Sequence, residues 1–507
     1  MKKLHLLLIS LLSISASYAQ DINDALRYSQ NEIQGTARFR ALSGAFGALG
    51  GDMSAVGLNP AGSAIFNRSH VSFTASNSNI ENNTNYFNNS TASNKSNFDI
   101  NQAGAAFVFT TNYNSPWKKV TLAITYDRTK NYNNNWVSRG TNTNNDGAFS
   151  NSIASYFYDY ANGKRLDEIS TFPDESIDDA YRDIGYNHGF EHQQAFLGFE
   201  SHILEPENIN DDANSIYLSN INSGDFYHDY SYLATGYNGK VTFNFATQYE
   251  DNLYLGINLN SHFIDYSHST LLLEDNSNGS FINEIDFENN LTTRGNGISF
   301  QLGGILKITH ELRAGLTYES PTWYTIEEET TQYLSTNGDN GFIEIYPNVI
   351  NLHPRYRLQT PAKVSGSLAY IFGNSGLISF DYSRKNYETT KFKPTSDTFF
   401  ANQNEIISNT LTNASTYRIG GEYKYNQFSF RGGYRFEESP YKNHTTIGDL
   451  NGFSAGIGYN FGNTILDLTY DQSERNLKTP LYNVGLIDTT SINRKNTNLT
   501  LSLSFNI

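Results

Sequence analysis

Asn498-Leu499-Thr500-Leu501-Ser502-Leu503-Ser504-Phe505-Asn506-Ile507 decides the fold class. Leu499, Leu501, Leu503, Phe505 and Ile507 alternate with Asn498, Thr500, Ser502, Ser504 and Asn506. A period of two gives a strand one apolar and one polar face. In a sheet closed through a membrane, the apolar face meets lipid and the polar face lines the lumen. An alternating strand with an aromatic near its end also resembles the recognition signal of a barrel-insertion machinery.

The opposite end agrees. Lys2 and Lys3 precede an apolar run, Leu4 to Ile14, and Ser17-Tyr18-Ala19 supplies the small residues a signal peptidase needs. Residues 1–19 read as a signal peptide, cleaved before Gln20. The run is too short for a membrane helix. With no cysteine in the sequence, disulfides, thiolate catalysis and a lipoprotein anchor are excluded.

Mean hydropathy is −0.51, and beyond the signal no apolar run reaches helix length. Strands apolar on one side only are compatible with that value. Tyr 35 and Phe 33 against Trp 3 supply the aromatic load of interfacial girdles. A net charge of −16 argues against nucleic acid as a partner.

Residues 20–68 differ from the rest. Ala41-Leu42-Ser43-Gly44-Ala45-Phe46-Gly47-Ala48-Leu49-Gly50-Gly51 and Asn59-Pro60-Ala61-Gly62 mix small residues with scattered apolar ones. Small residues permit close backbone packing, so this segment reads as a compact hatch. From Ser69 onward the chain reads as strands. Fourteen candidates alternate short turns (Glu250-Asp251, Thr309-His310, Gly373-Asn374-Ser375, Gly462-Asn463) with long polar connections, of which 131–235 is the longest. Short turns on one side and long loops on the other are the pattern of a transmembrane antiparallel β-barrel. The expected fold is all-β, a barrel of about fourteen strands over 69–507 with an N-terminal hatch inside the lumen. Twelve or sixteen strands are the neighbouring counts. A soluble sandwich has no reason to alternate its connections in this way, and no fixed-period repeat supports a solenoid.

Several motifs resemble the FadL/TodX family of outer-membrane transporters. They are the Gly/Ala-rich stretch leading to Asn59-Pro60-Ala61, then Thr360-Pro361-Ala362, then Gly315-Leu316-Thr317-Tyr318-Glu319-Ser320-Pro321 and Gly432-Gly433-Tyr434 through Ser439-Pro440. The closing pair is Gly456-Ile457-Gly458-Tyr459-Asn460-Phe461 with Leu466-Asp467-Leu468-Thr469-Tyr470. The resemblance implies a fourteen-strand barrel in the outer membrane of a Gram-negative bacterium. It also implies passive uptake of hydrophobic small molecules, long-chain fatty acids or aromatic hydrocarbons, through an apolar tunnel and a lateral opening. Gly50, Gly51, Asn59, Pro60 and Ala61 are then the hatch and gate candidates. Its partners are the ligand, outer-membrane lipids and, during biogenesis, the barrel-assembly machinery. A monomer is expected. Two other readings stand beside transport: a docking subunit of a secretion or assembly complex, and an outer-membrane lipid-active enzyme. No Ser-His-Asp order falls on adjacent strands, so the protein reads as a non-enzyme with no cofactor and no catalytic residues.

Parity sorts the charges. Phe428, Phe430, Tyr434 and Phe436 share one face, so Arg431 and Arg435 point inward. Tyr417, Ile419 and Tyr423 put Arg418, Glu422 and Lys424 inward, and Arg313, Glu319, Lys363, Asp381 and Asp467 follow. A charge on the lipid face would cost a few kcal/mol. Arg418, Arg431 and Arg435 are candidates for an anionic head group. The structural alternative, favoured about two to one, pairs them with Glu422, Asp467 and hatch carboxylates. His188-Gly189-Phe190-Glu191-His192 fits an inverted zinc-protease spacing, but Gly189 weakens the helix that motif needs. Asp174-Glu175, Asp178-Asp179 and Glu327-Glu328-Glu329 lack a calcium-loop spacing. No metal is expected.

Overall fold

The computed structural model describes residues 21–111, 115–145 and 149–507. The expected signal segment lies outside them. Fourteen antiparallel strands form one closed sheet. They are β1 (His70–Tyr86), β2 (Asn89–Thr110), β3 (Trp117–Asn131, continuing as Asn134–Asn142), β4 (Phe226–Tyr249), β5 (Leu253–Asn276), β6 (Ile282–Lys307) and β7 (Leu312–Glu319, continuing as Trp323–Gly338). Then follow β8 (Asn351–Gln359, continuing as Lys363–Ile371), β9 (Gly376–Asn386), β10 (Asn413–Tyr425), β11 (Phe428–Glu437), β12 (Ile447–Asn460), β13 (Thr464–Pro480) and β14 (Thr489–Asn506). The C-terminal strand closes the barrel on β1, from His70↔Asn506 to Asn85↔Ser491.

The lipid face follows the alternation. Phe73, Phe243, Leu259, Leu368, Phe430, Leu468 and Leu501 are exposed, while their strand neighbours Ser72, Asn244, Asn258, Ser367, Arg431, Asp467 and Ser502 are buried. Proline interrupts β7 at Pro321 and β8 at Pro361, because it cannot donate to the ladder. The two breaks lie side by side and are stitched by Thr322 N donating to Thr360 Oγ1 (2.9 Å) and Thr360 N to Thr322 O (3.0 Å).

The strands outrun the membrane. β4, β5 and β6 have 24, 24 and 26 residues, against the roughly 9–11 that span a bilayer. The long connections read from sequence are correspondingly shorter. The 79–100 connection is the upper part of a β1–β2 hairpin that turns at Phe87-Asn88, with φ of 45° and 63°. The 131–235 loop contracts to 143–225, because β3 continues to Asn142 and β4 starts at Phe226. These upper segments are rich in Asn, Ser and Thr on both faces. Once a strand leaves lipid nothing requires an apolar side, and the alternation fades.

Within the loop over the mouth, α-helices Ala154–Ala161, Ile177–His188 and Phe190–Glu200 pack into a cap. Ile153, Phe157, Phe196 and Leu197 of the cap join Leu272 and Phe287 of the upper strands and Leu486 of the β13–β14 connection in one buried apolar cluster. A buried polar latch ties it down. Ser152 Oγ and Ile153 N both donate to Glu274 (2.5 and 2.7 Å), whose carboxylate also meets His228 Nε2 at 2.8 Å.

Candidate functional site

Residues 21–69 lie inside the barrel and touch its wall nearly all round. A helix at Ile22–Ser29 is capped by Asp21; short helical turns follow at Ala37–Ala41, Met53–Val56 and Pro60–Ile65. Charge fixes one side. Arg40 makes a bidentate contact with Asp471 (2.8 and 2.9 Å), and Arg38 Nε reaches Glu422 at 3.0 Å. Arg431 joins Glu422 (2.6 Å) to Asp467 (2.5 Å). The hatch therefore contributes cations to barrel carboxylates, where carboxylates had been expected of it. Asp381 accepts the backbone N–H groups of Phe46 and Gly47 at 3.1 and 2.9 Å.

The turn at Asn59-Pro60-Ala61 docks on β4, β5 and β6. Asn59 Oδ1 caps Ala61 N (3.1 Å), and its Nδ2 donates to Gly47 O (2.7 Å) and Gly304 O (3.2 Å). Asn244 Nδ2 donates to Pro60 O at 2.9 Å. The wall here is glycine for a steric reason: a Cβ at Gly256 would lie 2.4 Å from Pro60 C. Gly50 and Gly51 take φ of +60° and +66°, and Gly51 N bonds Gly62 O at 2.9 Å, folding the glycine pair against the same turn. Sequence reading missed these wall glycines. Their signal is an inward strand position occupied by Gly, which parity alone treats as neutral.

Above the hatch lies a cavity of about 440 Å³. Tyr132, Trp136, Tyr232 and Tyr266 line one side, and the rings of Trp136 and Tyr232 stack at 5.4 Å. Lys385, Arg418, Arg435, Arg475 and Arg494 line it as well; in all, the lining holds ten basic side chains and four acidic ones. Arg435 and Arg475 share Glu437 at 3.6 and 3.7 Å. The Nε atoms of Arg418 and Arg475 are buried without a hydrogen-bond partner. Of the three arginine candidates, Arg418 and Arg435 line the chamber; Arg431 belongs to the hatch-anchoring network below. The lining is basic and half polar, unlike the apolar tunnel expected, because lumen-facing positions are free of the lipid constraint.

The wall is incomplete on one side. β2 and β3 pair from Thr110↔Lys119 only to Gln102↔Asp127, whereas β3 continues along β4 to Asn131↔Tyr237 with an irregularity at Arg128/Lys130. Hatch residues occupy the vacated edge: Glu32 N donates to Thr129 O at 2.9 Å, and Asn101 Nδ2 reaches Gln34 Oε1 at 3.3 Å. Arg128 forms an ion pair with Asp99 across the gap. Glu32, Gln34, Lys130 and Asn131 also line the chamber, so chamber and gap adjoin.

The acidic candidates at 174–179 and 327–329 do not gather into a metal-ligating group. Among the described residues the one such group is Glu168, His188 and His192.

A closed barrel filled by its own N-terminal segment, with a basic chamber above that segment and a break in the wall beside it, defines a plugged β-barrel of the outer-membrane type. Residues 240–473 of the chain match the family of outer membrane protein transport proteins (OMPP1/FadL/TodX). Its fold is similar to a Pseudomonas aeruginosa FadL homologue (12% identity over 94% of this chain and 99% of that one, TM-score 0.52). It is likewise similar to the Pseudomonas putida toluene transporter TodX (12% identity, 94% and 99% covered, TM-score 0.51). Comparison with curated proteins finds no match. The protein resides in the outer membrane.

Proposed function

We propose that the protein passively admits hydrophobic small molecules across the outer membrane, receiving them in the chamber and releasing them sideways past the β2–β3 gap. The observation that carries this reading is the chamber itself, closed below by the wedged hatch and adjoining a stretch where the wall loses its ladder. An apolar solute gains nothing by entering a wet pore. Shielding it from water gains about 0.8 kcal/mol per CH₂ buried, which the aromatic side offers. The family match over residues 240–473 and the similarity to a toluene transporter support hydrophobic cargo. The basic lining favours, of the two expected classes, long-chain fatty acids over aromatic hydrocarbons, because the buried Nε donors of Arg418 and Arg475, left without an acceptor, gain most from an incoming carboxylate. The chain acts on this reading as a non-enzymatic channel, with Asn59-Pro60-Ala61 holding the hatch.

Uptake of a labelled long-chain fatty acid and of labelled toluene, compared in wild-type and deletion strains, tests it. Fatty-acid uptake should fall on deletion. Wild-type rates for both compounds would overturn transport of these classes and leave the docking role.

A further inference from the structure

We propose that Glu168, His188 and His192 form a binding site for a divalent transition metal of the zinc type on the outer cap, separate from the lumen. Their ligand atoms all lie within 4.8 Å of one another. His192 Nε2 is 3.4 Å from Glu168 Oε2, and the two imidazole centroids are 4.9 Å apart with planes at 31°. A tetrahedral metal with bonds of about 2.0–2.1 Å holds its ligand atoms roughly 3.3 Å apart. The Glu168–His192 edge already has that length. His188 is exposed, at the end of the Ile177–His188 helix, and closes the site with a small side-chain swing.

The three groups come from separate segments. Glu168 ends a helical turn at Leu166–Glu168, His188 ends one helix, and His192 lies in the first turn of the next. Gly189, at φ +87°, breaks the two helices apart yet leaves the histidine rings side by side. Two imidazoles and one carboxylate suit zinc, copper or nickel and disfavour calcium and magnesium, which prefer oxygen ligands. Glu191, which the spacing offers as a catalytic base, is held by Lys164 at 3.0 Å. The site therefore clips the cap. Metal at Nε2 places the imidazole proton on Nδ1, which is buried without a partner. That missing acceptor makes the affinity weaker than at sites with a complete outer shell.

The full-length protein, purified in detergent without a histidine tag, is titrated with Zn²⁺ by calorimetry and with Co²⁺ by visible absorption. One equivalent of Zn²⁺ and a Co²⁺ ligand-field band are expected. His188→Ala and His192→Ala should each weaken Zn²⁺ binding by more than about tenfold and abolish the band. His444→Ala, at a surface His–Asp pair in the β11–β12 connection, should change neither. The absence of saturable binding in the wild type, or unchanged binding in His188→Ala, overturns the proposal. Because His188 is exposed, its replacement leaves the barrel folded, which heat-modifiable gel migration verifies.

Discussion

The side-chain oxygen of Asn59 lies 2.1 Å from the point a Cβ on Gly303 would occupy. Hatch and wall touch there without space for a methyl group. Gly303→Ala therefore has to push the turn off β6. Overpacking of this kind costs about 1–3 kcal/mol, equal to roughly a 5- to 150-fold shift in a local opening equilibrium. The barrel should assemble and keep its heat-modifiable migration, while protease cutting within residues 35–62 in intact outer membranes rises by that order. Unchanged cutting would show that the seat is not under this constraint.

Asn59→Ala with Pro60→Ala removes the contacts with Gly47 and Gly304 and the stiffness that proline gives the turn. No strand of the ladder is touched. Uptake of a labelled fatty acid should change while the amount of assembled barrel stays at the wild-type level.

Arg431 and Arg418 should part company. Removing Arg431 leaves the Glu422 and Asp467 carboxylates buried with one cation fewer. Breaking a buried pair costs about 3–5 kcal/mol, so Arg431→Ala should reduce assembled protein and expose the hatch. Arg418→Ala, on the chamber wall, should lower fatty-acid uptake with little effect on assembly and none on toluene. Equal assembly defects in both variants would remove Arg418 from the binding site.

The cap latch gives a stability test. Glu274→Ala leaves Ser152 Oγ, Ile153 N–H and His228 without their acceptor in a dry site, at about 1–3 kcal/mol for each unsatisfied group. Protease should then cut within 149–225 faster than in the wild type. Glu274→Gln, which retains one acceptor oxygen, should fall between them.

Burial raises the carboxyl of Asp24, on the first hatch helix, from 3.8 to about 6, with Arg27 pulling the other way. The docked helix thus holds the proton more tightly than an undocked one. Docking is then most favourable below about pH 4, weakens as pH rises from about 4 to about 6, and is level above that. Hydrogen exchange across Ile22–Ser29, corrected for intrinsic rates, should show less protection at pH 7 than at pH 4.5, and Asp24→Asn should flatten the difference.

The sequence by itself determined the barrel. Leu499, Leu501 and Leu503 face lipid and Thr500, Ser502 and Ser504 face inward because the pleat sets a period of two, and lipid rejects charge on one face. The same rule places Arg431, Arg435, Glu422 and Asp467 in the lumen, where all four are buried. Tertiary structure alone decided what depends on distances between remote segments. Arg38 and Arg40 meet Glu422 and Asp471 across separations of 384 and 431 residues, and no local pattern encodes such a pairing. The wall glycines make sense only once Asn59 and Pro60 are seen against them. The loop at 131–235 shrank, because an Asn-rich strand above the membrane has water or polar lumen on both sides and loses the alternation that reveals a strand in sequence. Glu168 joins His188 and His192 only through the folding of the cap, so spacing along the chain showed two of the three ligands and could not supply the third.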